Sequence, residues 1–332
     1  MKRFPLLLTA AAILASAVPA LVQAQAQASA KSAFPSKTIT LVVPFTANSG
    51  SDIIARVIGP RLAARWGQAV IVDNRPGASG NLGANMVAKA SPDGHTLLMA
   101  IDSFTMAPAV YKNMPYDPAA DFVPVAKLAE TSYVLAVNPG LPVKDVTALI
   151  AYVKKTPGSL NYASPGNGTP HHLTMEMLKS KFGLDIMHVP YKGISGALTE
   201  LMGGQVQVMY GSVSSMRPFA QAGKVRLLAV TGTARNPLAP DVPTFREQGI
   251  DSMDNGDAYY FVMAPAATPP ELVARLHNDF VAVTNTEDVK TELAKLGLTV
   301  RTNATSAQLT AQVKSDLLRW HKVVKDAGIT AD

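Results

Sequence analysis

Cysteine is absent from all 332 residues. That excludes disulfides, thiolate metal centres and cysteine nucleophiles, and it excludes a lipid-modified N-terminal cysteine. Long apolar runs are missing too: beyond Val22 nothing is long enough to span a bilayer. The formal charge of +6 is scattered and forms no basic stripe, which excludes a nucleic-acid binder. There is no Ser/Gly linker and no fixed-period repeat. Enzyme signatures are equally scarce. No HExxH, HxH or acidic cluster completes a metal site, and Ser164 has no G-x-S-x-G elbow around it. His171 and His172 are adjacent, so on a helix they diverge by about 100° and cannot share one metal. No metal and no cofactor is expected.

What is present begins with a leader. Lys2 and Arg3 precede an apolar run from Leu6 to Val22, and "QAQAQASA" then offers several Ala-x-Ala cleavage choices. This reads as a secretory signal peptide over 1–28, cut after Ala28. The mature chain is expected to be exported, soluble and not a lipoprotein. Because 1–28 contains two bases and no acid, its removal takes the charge from +6 to +4.

From Thr38 onward strand and helix patterns alternate. "TITLVV" suits a strand buried on both faces. The helix after it carries Ile53, Ile54, Val57, Ile58 and Leu62 on one face and stops at Gly67. "AVIVDN", a helix over 81–90 and "TLLMA" complete a βαβαβ unit, which implies a parallel sheet with right-handed crossovers. A second series starts at "YVLAVNP" and runs through helices at 144–155, 170–182, 195–202 and 214–222. Its strands are expected at 161–163, 186–190, "VQVMY" and "VRLLAV". "YYFVMAP" and three helical stretches close the chain. The pattern predicts two α/β lobes, with strands 133–137 and 259–263 as the crossings. The lobes are expected to comprise 31–130 plus 255–332, and 131–254. Ligands of open parallel sheets bind beyond the carboxyl ends of the strands, which puts the cleft between the lobes.

Three loops then invite ligand chemistry. In "VVPFTANSGSDIIAR", Ser49 or Ser51 can cap a helix whose first N–H groups suit an anion. Gly50 permits close backbone approach, and Asn48 adds donors and an acceptor. "NRPGASGNLG" lacks the Lys-Ser/Thr of a P-loop and follows the second strand rather than the first, so it reads as a structural turn. In "SPGNGTPHH", Thr169 is an N-cap and Pro170 a first helical residue. Ser164, Asn167, Gly168 and Thr169 form a small polar nest beside His172.

These residues resemble the substrate-binding proteins of tripartite tricarboxylate transporters, the Bug family. The similarity runs through "FPSKTITLVVPF…SDIIAR", "VIVDNRPGASGNLGANMVAKASPDGHTLLM", "YDPAADFVPVAKL" and "LNYASPGNGTPHHL". It continues through "HVPYKGISGALTELMGGQVQVM", "AGKVRLLAVTGTAR", "PDVPTFREQG" and "WHKVVKDAGI". The resemblance implies a two-lobed periplasmic binding protein of type II arrangement, a monomer that holds a small carboxylate between its lobes and delivers it to a membrane permease. Bond breaking is not expected. By position, the ligand would meet Phe45, Thr46, Ala47, Asn48, Ser49 and Gly50 of the first lobe. Opposite them stand Ser164, Asn167, Gly168, Thr169 and His172, with Tyr191, Ser212 and Ser214. Phe104, Tyr191, Tyr210, Tyr259 and Tyr260 could add an aromatic wall, with core packing the other reading for at least half of them, and Tyr259 is counted among the ligand contacts.

Departures from the family pattern sharpen the expectation. "TANSGSD" stands where "PAGGGTD" is usual, and "IDSFTM" replaces a small turn, bringing Asp102, Ser103 and Phe104 to the pocket. Asp102 could cap the following turn, receive a ligand donor (favouring an aromatic, hydroxy or amino acid) or be neutralised by Arg217 or another base. Two other readings compete: a secreted hydrolase using Ser164 or a serine after "VQVMY" with His172 as base, and a ligand sensor for a signalling kinase.

Overall fold

The computed structural model describes residues 34–253 and 258–329. The leader and its cut at Ala28 lie outside them. The first sheet is six-stranded, in the order β11-β4-β10-β3-β1-β2, and the second five-stranded, β7-β6-β8-β5-β9. In the first sheet, β1 (Ile39–Val43) lies between β2 (Val70–Asn74) and β3 (Thr96–Ile101), parallel to both. β10 (Ala258–Pro265) runs antiparallel between β3 and β4 (Phe122–Thr131), and the short β11 (Thr299–Val300) edges β4. In the second sheet β6 (Asn161–Ser164) pairs in parallel with β7 (Met187–Pro190) and β8 (Val208–Ser212). β5 (Tyr133–Val137) runs antiparallel to β8 and to β9 (Arg226–Val230).

The apolar β1 run does what its composition demands. Leu41 and Val43 face α1 (Gly50–Trp66), α8 (Pro270–Thr284) and α9 (Glu287–Lys295), whereas Val42 faces α2 (Asn81–Ala88) and α3 (Ser103–Val110). A strand covered on both faces has no polar face to show. In the second sheet the same logic buries Tyr162, Val208 and Tyr210 on one side and Ala163, Met209 and Val230 on the other. Helices α4 (Val146–Lys155), α5 (Pro170–Phe182), α6 (Ile194–Gly203) and α7 (Val213–Gln221) flank it.

The expected crossing strands are corrected. β5 lies wholly in the second sheet and β10 wholly in the first; the chain passes between sheets at Ser132 and again between β9 and β10. β4, the ten-residue strand of this fold, escaped the sequence reading because Pro124 and Lys127 interrupt its apolar run. The last helix, α10 (Ser306–Ala327), packs on the first half through β4 and α3 and also reaches the second. Trp320 and Val324 pack with Met106 and Val110 of α3 and with Leu173 of α5, a cluster that joins both halves. Among the described residues no helix is long and apolar enough to cross a membrane.

Asp279 of α8 fastens the outer layer of the first sheet. Its carboxylate accepts from the buried Trp66 indole N–H at 2.8 Å and from Arg65 Nε at 2.5 Å. Removing it leaves the indole donor without its acceptor inside the core. Asp279→Ala is therefore expected to cost about 1.5–3 kcal/mol, read as a lower urea midpoint at unchanged slope. A midpoint within error of the parent would show that water replaces the carboxylate at no cost.

Candidate functional site

The carboxyl ends of β1, β2 and β3 and the starts of β10 and β11 share one edge of the first sheet. The ends of β6, β7 and β8 share an edge of the second with the start of β5. The loops leaving these two edges meet. Ser79, after β2, donates to the Asn167 carbonyl, after β6, at 2.5 Å. A Cβ on Gly80 would touch the Phe45 ring at 3.3 Å, and one on Gly168 would lie 3.2 Å from the Tyr111 ring. Near the chain crossing, the Tyr133 hydroxyl approaches Asp102 at 3.4 Å, and its ring lies edge-on to His171 with centroids 5.1 Å apart.

The first of these loops is built around one carboxylate. Ser49 caps α1 by accepting from Asp52 N–H at 3.4 Å. Buried Asp52 accepts in turn from Asn48 N–H at 2.9 Å, from Asn74 Nδ2 at 3.0 Å and from Arg56 Nε at 3.0 Å. Burial alone would raise the Asp52 carboxyl; these hydrogen bonds hold it below the usual range. Asn48, at φ 65°, is pinned in the left-handed region by its N–H bond to Asp52. The Asn48 N–H is therefore consumed, a correction to the expectation that this loop leaves its N–H groups free. Those of Gly50 and Ser51 remain, being the first in a helix and without an internal acceptor. Ser51 Oγ is buried and unpartnered among the described residues. Phe45 and Ser49 are half-buried, and Thr46, Ala47 and Asn48 are exposed on the rim. Gly50 is a glycine for a steric reason: any Cβ would collide with the Tyr260 hydroxyl.

The second loop is organised by rings. His172 Nδ1 accepts from Gly168 N–H at 3.1 Å, which fixes the imidazole proton on Nε2. Its ring stacks on His188 at 4.1 Å, and His188 stacks on Tyr162 at 4.6 Å. Thr169 is the N-cap residue of α5 and Pro170 follows at its first position, as expected, but the Thr169 hydroxyl makes no capping bond and donates to the Gly166 carbonyl at 2.7 Å. With Pro170 lacking an N–H, His171 offers the first donor of α5.

Phe104 and Tyr259 are corrected, and Asp102, Ser103, Ser212 and Tyr191 find local partners. Phe104 stacks with Tyr116 and meets Phe122 and Phe261 edge-on, inside the core. Tyr259 turns to the same face and donates to Asp316 at 2.5 Å, so alternation along β10 gives the other face to Tyr260, its neighbour in the expected aromatic wall. Asp102 is buried and accepts from Ser103 N–H at 3.1 Å at the start of α3, the capping alternative, with Ser103 buried behind it. Burial raises its carboxyl to about 8, and the base whose charge acts on it is Arg319. Ser212 caps α7 and shares hydrogen bonds with Ser214 and Ser215. Tyr191 is half-buried and gives its N–H to the Ser164 carbonyl at 2.9 Å.

The hydrolase alternative also meets its geometry. The imidazole beside Ser164 is His188, with Nε2 2.7 Å from Oγ, and not His172. Ser164 is fully buried, donating to the Gly166 carbonyl at 3.1 Å. A nucleophile must be reachable by substrate; this hydroxyl braces a loop.

Comparison with known proteins decides the family. A sequence model described as "Tripartite tricarboxylate transporter family receptor" matches residues 54–329. The chain belongs to this receptor family. Its fold matches that of R. palustris Rpa4515 with adipate at 34% identity and a TM-score of 0.83, covering 90% of this chain and all of that one. Periplasmic binding protein BugD matches at 31% and 0.82, again over 90% and 100%. MatC from Rhodopseudomonas palustris with bound malate matches at 34% and 0.80, over 88% and 100%. The receptor is thus a two-lobed α/β binding protein of the Bug type.

In this receptor the imidazole stack is a pH-sensitive brace. Burial lowers His172 to about 4 and His188 to about 3. A histidine depressed on folding contributes its full stability above the unfolded value of about 6.5, and that contribution is lost as pH falls through the folded value. For His172 the shift corresponds to on the order of 3 kcal/mol. Urea midpoints are expected to fall steadily from pH 6.5 to 4. His172→Asn keeps an oxygen acceptor for Gly168 N–H but does not titrate, so its slope should be flatter. An unchanged slope would remove His172 from the brace.

Proposed function

We propose that this chain captures a small organic carboxylate in the periplasm, between its two lobes, and presents it to the membrane permease of a tripartite tricarboxylate-type transporter. The observation that carries this reading is convergence. Two helix starts, α1 with its first N–H groups at Gly50 and Ser51 and α5 with its first at His171, stand at the carboxyl ends of β1 and β6, and the neighbouring loop after β2 touches the loop before α5 through Ser79 and Asn167. A helix start favours an anion, and N–H and hydroxyl donors can grip a carboxylate without a full cation. The adipate and malate held by structural relatives support the same ligand class.

The lobes are residues 31–130 with 255–332, and 131–254, after removal of 1–28. The receptor acts as a monomer, by closure and without breaking bonds. Ligand contacts fall on the Phe45–Gly50 loop, on the Asn167–His171 turn and on Tyr191, with the Tyr260 hydroxyl over Gly50. Asp102 lies at the junction of the lobes. Burial keeps it largely protonated near neutrality, so it does not set a second negative charge against the ligand.

Thermal-shift titration with C4–C6 dicarboxylates, hydroxy acids and amino acids tests this. A true ligand at about 100 times its Kd adds about 2.7 kcal/mol, a rise in Tm of several degrees. Gly168→Val is expected to abolish that rise, because φ there is 71° and a side chain would enter the Tyr111 ring. A library in which no carboxylate moves Tm would end the proposal.

A further inference from the structure

The "PGASG" loop spends backbone strain on one contact. Gly77, Ala78, Ser79 and Gly80 all have positive φ, and at Ala78 and Ser79, with φ 47° and 55°, a side chain makes that conformation unfavourable. Glycine would adopt it freely, so a serine at 79 calls for a compensating interaction. That interaction crosses to the other lobe. Ser79 Oγ gives its only proton to the Asn167 carbonyl at 2.5 Å. Tyr111 O–H, 3.1 Å from the same oxygen, must then be the donor to it, and lies 3.4 Å from the same carbonyl. Asn167 is held ready for the contact by its neighbours: Gly168 N–H is bound to His172, and Thr169 is bound back to Gly166.

We propose that Ser79, Tyr111 and the Asn167 carbonyl form a latch between the lobes, with Ser79 as the affinity-setting residue. Because the latch involves no ligand atom, it holds part of the unliganded population closed. It therefore raises the affinity for whatever fits the cleft and slows its escape. The latch uses the two-lobed reading above but not the identity of the ligand.

The lack of native cysteine allows a clean test. Spin labels placed by Met86→Cys on exposed α2 and Ser195→Cys on exposed α6 report the interlobe distance by pulsed electron resonance without ligand. The parent should show a closed population at the separation seen in this structure, together with an open one. Ser79→Gly, which relieves the strain but removes the hydroxyl, should lower the closed-to-open ratio about two- to tenfold. Ser79→Ala, which keeps the strain, should do the same, and Tyr111→Phe should have a smaller effect. Circular dichroism checks that each variant is folded. A parent with no closed population, or a distribution that both Ser79 variants leave unchanged, overturns the latch. A receptor that binds no carboxylate yet loses its closed population in Ser79→Gly would keep the latch and refute only the ligand class.

Discussion

The first turn of an α-helix has N–H groups that no residue of the same helix can accept, and the proposed site rests on two such turns, those of α1 after β1 and of α5 after β6. Everything near these turns follows from managing those donors. At α1, Ser49 accepts the Asp52 N–H, and the Asp52 carboxylate accepts the Asn48 N–H, an Asn74 amide and Arg56. At α5, Pro170 supplies no donor and His172 accepts the Gly168 N–H. What survives is a small number of unspent donors at fixed positions. A site of this kind recognises an anion by geometry, with little need for a buried cation.

The sheets were legible because burial on both faces demands near-continuous apolar runs, and "TITLVV", "TLLMA" and "VQVMY" announce themselves. The helix start after "TANSGSD" was legible for a similar reason, since a small polar residue before an apolar period has few other uses. What could not be read locally was where a side chain points across a tertiary contact. Tyr259 and Tyr260 are chemically equal neighbours, and only the pleat decides that one meets Asp316 and the other Gly50. His172 and His188 stand sixteen positions apart in the sequence, and parallel pairing of β6 with β7 brings His188 beside Ser164. Ser79 was invisible as a functional residue because its neighbours spell a turn. Its positive φ and its partner in the other lobe appear only in three dimensions.

Two kinds of contact join the halves. On one side the α10 helix packs Trp320 and Val324 against both α3 and α5, an apolar seam. On the other, Ser79 meets Asn167 and Tyr133 meets Asp102 through single polar contacts. Apolar seams resist separation over many atoms, whereas single hydrogen bonds of this kind are worth about 0.5–1.5 kcal/mol each. The proposed closure would have to work around the seam, with the Ser79–Asn167 contact as the small polar link that opening breaks and Tyr133–Asp102 beside the chain crossing.

The most direct test of two helix starts sharing one ligand is a titration of the 15N-labelled receptor with adipate or malate, followed at assigned backbone amides. The Gly50 and Ser51 amides of α1 and the His171 amide of α5 should shift together, along curves that fit a single Kd. Shifts confined to one lobe, or centred on the separate cavity lined by Asn236, Leu238, Lys290 and Leu298, would contradict a ligand gripped between the two.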